Sequence, residues 1–191
     1  YLFKDLTFSI NKGEKVAFIA KKQQSITKFF DIINGKEDAL TGSFKFGTTI
    51  RATYLPNNHE EYFNEKTSIL DWLREFSEEK DELYIRGFLG KMLFSGDEAL
   101  KNVNVLSGGE KVRCMLSKIM MEKANVLLIN EPTNHLDLES ITAFNNSLKN
   151  YKGTLIFSTS DHTFAQTLGN RIIELTPNGV VDRYSMFEDY M

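Results

Sequence analysis

Val105-Leu106-Ser107-Gly108-Gly109-Glu110 leads into a helix, and Val126-Leu127-Leu128-Ile129-Asn130-Glu131-Pro132-Thr133-Asn134-His135-Leu136-Asp137 is an apolar strand running into an acidic turn. Ser107-x-x-Glu110 is a capping box, in which each side chain satisfies a loose backbone N–H of the first helical turn. The two glycines leave bare backbone N–H groups at the positive end of the helix dipole, where a phosphate can come close. Val112, Leu116 and Ile119 give this helix its apolar face. The strand that follows ends in Glu131, and a carboxylate at a strand end can orient or deprotonate water in phosphate chemistry.

The same alternation extends outward in both directions. Leu6 to Ile10 alternates apolar and polar residues like a half-buried strand, Asn11-Lys12-Gly13-Glu14 reads as a turn, and Val16 to Ala20 as a buried strand. Ile26, Phe29, Phe30 and Ile33 mark a helix that Gly35 stops. Strands are expected near 43–46 and 49–55. A first middle helix carries Ile69, Leu70, Trp72, Leu73 and Phe76, capped by Thr67 or Ser68, and a second carries Leu83, Phe88, Leu89, Met92 and Leu93. Beyond Asp137 a helix with Leu138, Ile141, Phe144 and Leu148 precedes a buried strand at Thr154–Ser158. A short helix, a strand at Arg171–Leu175, a turn at Pro177-Asn178-Gly179 and a strand at Val180–Tyr184 follow. This order predicts one α/β domain over 1–191, with a helical arm at about 66–123.

Composition narrows the function classes. The 191 residues suffice for one domain with a proper core. A net charge of −3 and the lack of a long Lys/Arg run give no overall nucleic-acid footprint. The single cysteine, Cys114, lies in an apolar helical pattern and reads as a small buried hydrophobe in a reducing compartment. No apolar run approaches the roughly 18 residues of a membrane span. The chain opens at Tyr1 straight into a strand-like segment, so it is expected to be a piece of a longer protein, cytoplasmic in location.

Between the strand at 16–20 and the helix after it, a phosphate-binding loop would read Gly, four residues, Gly, Lys, then Ser or Thr. The chain reads Ala20-Lys21-Lys22-Gln23-Gln24-Ser25-Ile26-Thr27, and only Thr27 fits. The glycines serve unusual backbone angles, and the lysine neutralises phosphate charge in hydrogen bonds worth about 1.5–3 kcal/mol each.

The two opening segments together resemble the signature and Walker B–D-loop segments of ATP-binding-cassette (ABC) ATPases, and the order of elements matches over the whole chain. Pro132-Thr133-Asn134-His135-Leu136-Asp137 followed by Leu138-Glu139-Ser140 is similar to class F, soluble twin-cassette proteins of which many act on ribosomes. The resemblance is closest to the second cassette of such a protein. It implies a P-loop NTPase-type fold with a mostly parallel core sheet, an N-terminal antiparallel β subdomain and a helical arm, with ATP and Mg²⁺ as cofactors. Cassettes of this family pair head to tail, each ATP lying between one cassette's phosphate loop and the other's signature. The resemblance places Ala20, Lys21, Lys22, Ser25, Ile26 and Thr27 in the phosphate loop. Asn130 stands at the Walker B aspartate, Asn57 (or Asn58) at the glutamine after the 49–55 strand, and Ser160 at the switch histidine. Glu131 is the candidate general base, and Thr27 and Asn57 the candidate metal ligands. Ser107, Gly108, Gly109 and Glu110 form the signature, and Asp137 belongs to the D-loop at the cassette interface. His162 reads as a solvent-facing or capping residue and Phe3 as core packing. On this sorting the departures from the pattern gather in the chain's own pocket, while the intact signature serves the partner cassette's ATP. Two other readings stand beside it: an active transporter cassette, against which Asn134-His135 argues, and an interaction domain that kept only the fold, against which Glu131 and the signature argue.

Overall fold

The computed structural model describes residues 1–55, 59–134, 136–160 and 162–184, and the side chains of all of these but 162 and 163. Two compact units emerge: 1–54 with 125–132 and 152–191, and 55–124 with 133–151.

The first unit is built on a sheet. Its strands are β1 (Lys15–Ala20), β2 (Ala52–Leu55), β3 (Val126–Asn130), β4 (Thr154–Ser158), β5 (Arg171–Thr176) and β6 (Gly179–Arg183), in the spatial order β2-β3-β4-β1-β5-β6. The pairs β3–β4, β4–β1 and β1–β5 are parallel, and β5–β6 is an antiparallel hairpin. β3 and β4 are buried at every position, as parallel strands covered on both faces must be. On one face Val16, Phe18, Val126, Leu128, Ile156, Ile173 and Leu175 pack against Ile26, Phe29 and Phe30 of α1 (Gln23–Ile33). On the other, Phe157 meets Phe164, and a Cβ at Gly169 would come within 3.0 Å of the Ala165 carbonyl and 3.7 Å of Phe157.

The resemblance's N-terminal antiparallel β subdomain does not appear as paired strands: residues 1–14 and 36–51 lie outside any strand. The alternation at Leu6, Phe8 and Ile10 does put these side chains, with Phe3, against the core. Alternation fixes which face is buried, whereas a strand also needs a neighbour to share its hydrogen bonds.

The second unit is helical: α2 (Ile69–Glu75), α3 (Glu82–Lys91), α4 (Gly108–Met121) and α5 (Leu138–Lys149); α6 (His162–Leu168) belongs to the first unit. Ser68, not Thr67, caps α2, accepting from the Asp71 N–H. α3 buries Ile85 and Leu89, while Leu83, expected inside, is 80% exposed. Met92 and Leu93 lie past its end, Leu93 with φ 66°. α4 buries Val112, Leu116 and Ile119 as the pattern predicts. α5 buries Phe144 and Leu148, but Leu138 is 80% exposed. Cys114 is buried, which drives its thiol pKa upward and leaves it inert. Among the described residues no helix is long and apolar enough to cross a membrane.

Candidate functional site

In the sheet unit the candidate groups sit at the ends of β1, β3 and β4. β1 stops at Ala20, only Lys21 and Lys22 intervene, and α1 is already helical at Gln23. Lys22 takes the cap position (φ −116°, ψ 121°) without a side-chain cap, and the Ser25 N–H bonds to its carbonyl at 2.9 Å. None of residues 20–27 has a positive φ, so the backbone does not fold into the nest that cradles an anion. Lys21 and Lys22 are exposed. Ser25 is buried, its hydroxyl donating to the Leu2 carbonyl at 3.4 Å. Ile26, at the position of the phosphate-binding lysine, is 2% exposed and part of the hydrophobic core. The Thr27 hydroxyl is exposed and turns back to the Gln23 carbonyl at 3.4 Å.

Asn130, Glu131 and Ser160 come together through Ser158. Asn130 and Ser158 are register partners at the ends of β3 and β4. Ser158 Oγ donates to Asn130 Oδ1 at 2.7 Å. The Glu131 N–H donates to the Ser158 carbonyl at 3.1 Å and to Ser158 Oγ at 3.2 Å. These bonds hold Glu131 in the left-handed region (φ 48°), a conformation that costs a non-glycine residue of the order of 1 kcal/mol or more and recurs at functional sites. Its Oε2 accepts from the Ser160 N–H at 3.1 Å and the Ser160 hydroxyl at 3.2 Å. Sequence reasoning missed Ser158; its signal is a serine closing an otherwise apolar buried strand. Asn57 and Asn58 lie outside the described residues, as does His135; His162 begins α6, its side chain outside the description.

The family's metal is tested by this donor set. Mg²⁺ prefers oxygen ligands and charged carboxylates. Asn130 brings no charge and turns its oxygen to Ser158, Ser160 brings no charge and is held on Glu131, and the Thr27 hydroxyl turns back into its own helix. Among the described residues no three His, Cys, Asp or Glu side chains gather to hold a metal. The described residues do not fit Mg²⁺.

In the helical unit the candidate groups are two helix starts. Ser107 caps α4: its hydroxyl accepts from the Glu110 N–H at 3.3 Å, and its own N–H donates to Glu110 Oε2 at 2.8 Å. Lys101 holds Glu110 Oε1 at 2.5 Å. Burial pushes the Glu110 pKa up, but the bonds from Lys101 and Ser107 outweigh it and hold the carboxyl below its ordinary range. Ser107 and Gly108 are exposed, Gly109 half-buried, and a Cβ added at Gly108 would meet nothing within 4 Å. The chain's own packing therefore does not demand glycine there. Asp137 caps α5, accepting from the Ser140 N–H at 2.7 Å; that bond holds its exposed carboxyl below the ordinary pKa.

Residues 3–134 match the family model described as ABC transporter. The uncharacterized ABC transporter ATP-binding protein YkpA of Bacillus subtilis is 49% identical over 98% of this chain and 35% of its own length. ABC transporter F family member 5 of Arabidopsis thaliana is 31% identical over 96% of this chain and 27% of its own. The chain thus spans about a third of the length of such relatives. Among solved structures, a dimeric ATP-binding cassette in a post-hydrolysis state with ADP and phosphate superposes with a TM-score of 0.74 at 18% identity, covering 96% of this chain and 90% of that one.

Proposed function

The chain belongs to the ABC transporter family, and from that premise we propose that it is a cassette of a class F twin-cassette protein, acting in the cytoplasm with the ribosome as its target. Its Ser107-Gly108-Gly109 signature completes the ATP site of a partner cassette, packed head to tail and carried on the same polypeptide, with Asp137 at their interface. Its own pocket, formed by Ala20–Thr27, Asn130, Glu131 and Ser160, is degenerate and does not turn ATP over.

The observation that carries this reading is Ile26. A lysine at that position reaches a phosphate; here the side chain is 2% exposed and packs in the core. Gly108 supports the other half. Open space around its Cβ position leaves the glycine to serve something outside the chain, and a phosphate held by another cassette needs that close approach.

The test is made on the full twin-cassette protein. Ser107→Arg is expected to abolish ATP turnover, while Glu131→Gln leaves it close to wild type. Equal loss from both would mean that this pocket turns over. Titration of this chain with ATP gives the second arm: a Kd of about 1 µM or tighter, near −8.2 kcal/mol, overturns the reading of a failed phosphate grip.

A further inference from the structure

Ser158 takes no part in the head-to-tail pairing of cassettes, yet it orients Asn130. Both residues are buried, Asn130 at 3% exposed and Ser158 at 1%. A hydroxyl has one proton to give. Ser158 Oγ accepts the Glu131 N–H at 3.2 Å and gives its proton to Asn130 Oδ1 at 2.7 Å. This fixes which way the amide is turned. Oδ1 is aimed at Ser158 on the neighbouring strand with one of its two lone pairs engaged, and Nδ2, the amide's other polar atom, can only donate. A divalent cation asks the reverse: it takes oxygen directly, or holds waters whose protons need acceptors. An Asn130 free to rotate could turn its oxygen to a cation; one held by Ser158 keeps it turned to β4.

We propose that Ser158 is a positioning residue that bars a divalent cation from this cassette's own pocket, by turning the Asn130 amide so that it presents a donor. This deepens the reading of the pocket above and rests on it in one respect, that Asn130 stands at the metal-facing position. It adds that the loss of metal is enforced by a neighbour, and is not simply the arithmetic of one missing charge.

Mn²⁺ serves as the probe, since it shares the preference of Mg²⁺ for octahedral oxygen. It is titrated into the folded chain with and without ATP, and unbound Mn²⁺ is read by electron paramagnetic resonance against protein-free solutions of the same composition. The wild-type chain is expected to withdraw no further Mn²⁺; uptake of one ion per chain overturns the proposal. Asn130→Asp keeps one oxygen for Ser158 and frees a second, and is expected to raise Mn²⁺ affinity by about tenfold or more, the range over which groups supporting a metal site act. Ser158→Ala, which releases Oδ1, is expected to raise it less, and Ser158→Thr, which retains the hydroxyl, to behave as wild type. A folded Asn130→Asp chain that gains no Mn²⁺ affinity, or a Ser158→Thr chain that gains as much as Ser158→Ala, overturns it. Should Ser158→Ala not fold, Ser158→Val, which matches Ser158→Thr in shape without the hydroxyl, takes its place, and a Ser158→Val chain that gains no more Mn²⁺ affinity than Ser158→Thr overturns the proposal. Mn²⁺ uptake by the wild type would leave the signature reading standing, because that rests on Ser107→Arg.

Discussion

At Ile26 a lysine would have to be buried. Ile26→Lys restores the letter of the phosphate-loop pattern, but the side chain enters a cluster of Val16, Phe18, Phe29, Phe30 and Val126 with no partner for its charge. An unpaired buried charge is among the few changes that cost a domain on the order of 3 kcal/mol or more. The expected outcome is a large drop in the urea midpoint with no gain in ATP affinity; wild-type stability with tighter ATP binding would show that this side chain can turn outward. The residue scale is also where reading the sequence met its limit. The substitutions at Ala20, Ser25, Ile26 and Asn130 are legible as letters. That α1 starts at Gln23 and carries Ile26 inward is a matter of packing, and that Ser158 claims the Asn130 oxygen depends on strand register, which no local pattern encodes.

At the scale of elements, the Ser107 cap has a stability role separable from any role toward a nucleotide. Ser107→Ala removes the hydroxyl that accepts the Glu110 N–H and is expected to cost about 1 kcal/mol, whereas Ser107→Gly costs only a few tenths. Thermal unfolding followed by circular dichroism gives both values. If Ser107→Ala cost nothing, the cap would not be holding α4, and the loss of turnover expected for Ser107→Arg could not be weighed against a folding defect. Elements with strong signals were legible: the apolar runs of β1, β3, β4 and β5 and the 3.6-residue stripe of α4 name their own burial. Two helices were misread at their first turns. Leu83 and Leu138 extend the apolar stripe on paper, but each follows its capping aspartate, Asp81 or Asp137, so early in the helix that it points to solvent. The segment at 43–46 fails for another reason. Phe44 and Phe46 are 52% and 40% exposed and touch each other edge to face, without a neighbouring strand to pair with.

At the scale of the whole molecule, Arg171 ties the beginning of the sheet unit to its end. Its side chain, 4% exposed, pairs with Glu14 Oε2 at 2.7 Å and Asp182 Oδ2 at 2.6 Å, and donates to the Ser9 carbonyl at 2.7 Å. Tyr184 lies across the guanidinium at 4.8 Å and donates its hydroxyl to Glu14 Oε1 at 2.9 Å. Burial pushes the Glu14 carboxyl upward, but bonds from the Asn11 backbone, Tyr184 and Arg171 outweigh it and leave the pKa below the ordinary 4.5. The unfolded chain therefore takes up this proton at a higher pH than the folded one, so acid favours unfolding. The contribution is complete above 4.5 and is lost as pH falls through the lower, folded value. Arg171→Met removes the shared cation of the half-buried Glu14 and the exposed Asp182, which at neutral pH is expected to cost about 1.5–3 kcal/mol, the range of hydrogen bonds to charged groups. It also removes part of what depresses Glu14, so the variant's stability is expected to fall less steeply with acid than the wild type's. Urea midpoints measured from neutral pH down through the carboxylate range, with the sheet followed by circular dichroism, test both claims. Parallel curves for the two proteins would mean that Asn11 and Tyr184 alone hold Glu14 down, and that Arg171 serves the fold only through packing and its bond to Ser9.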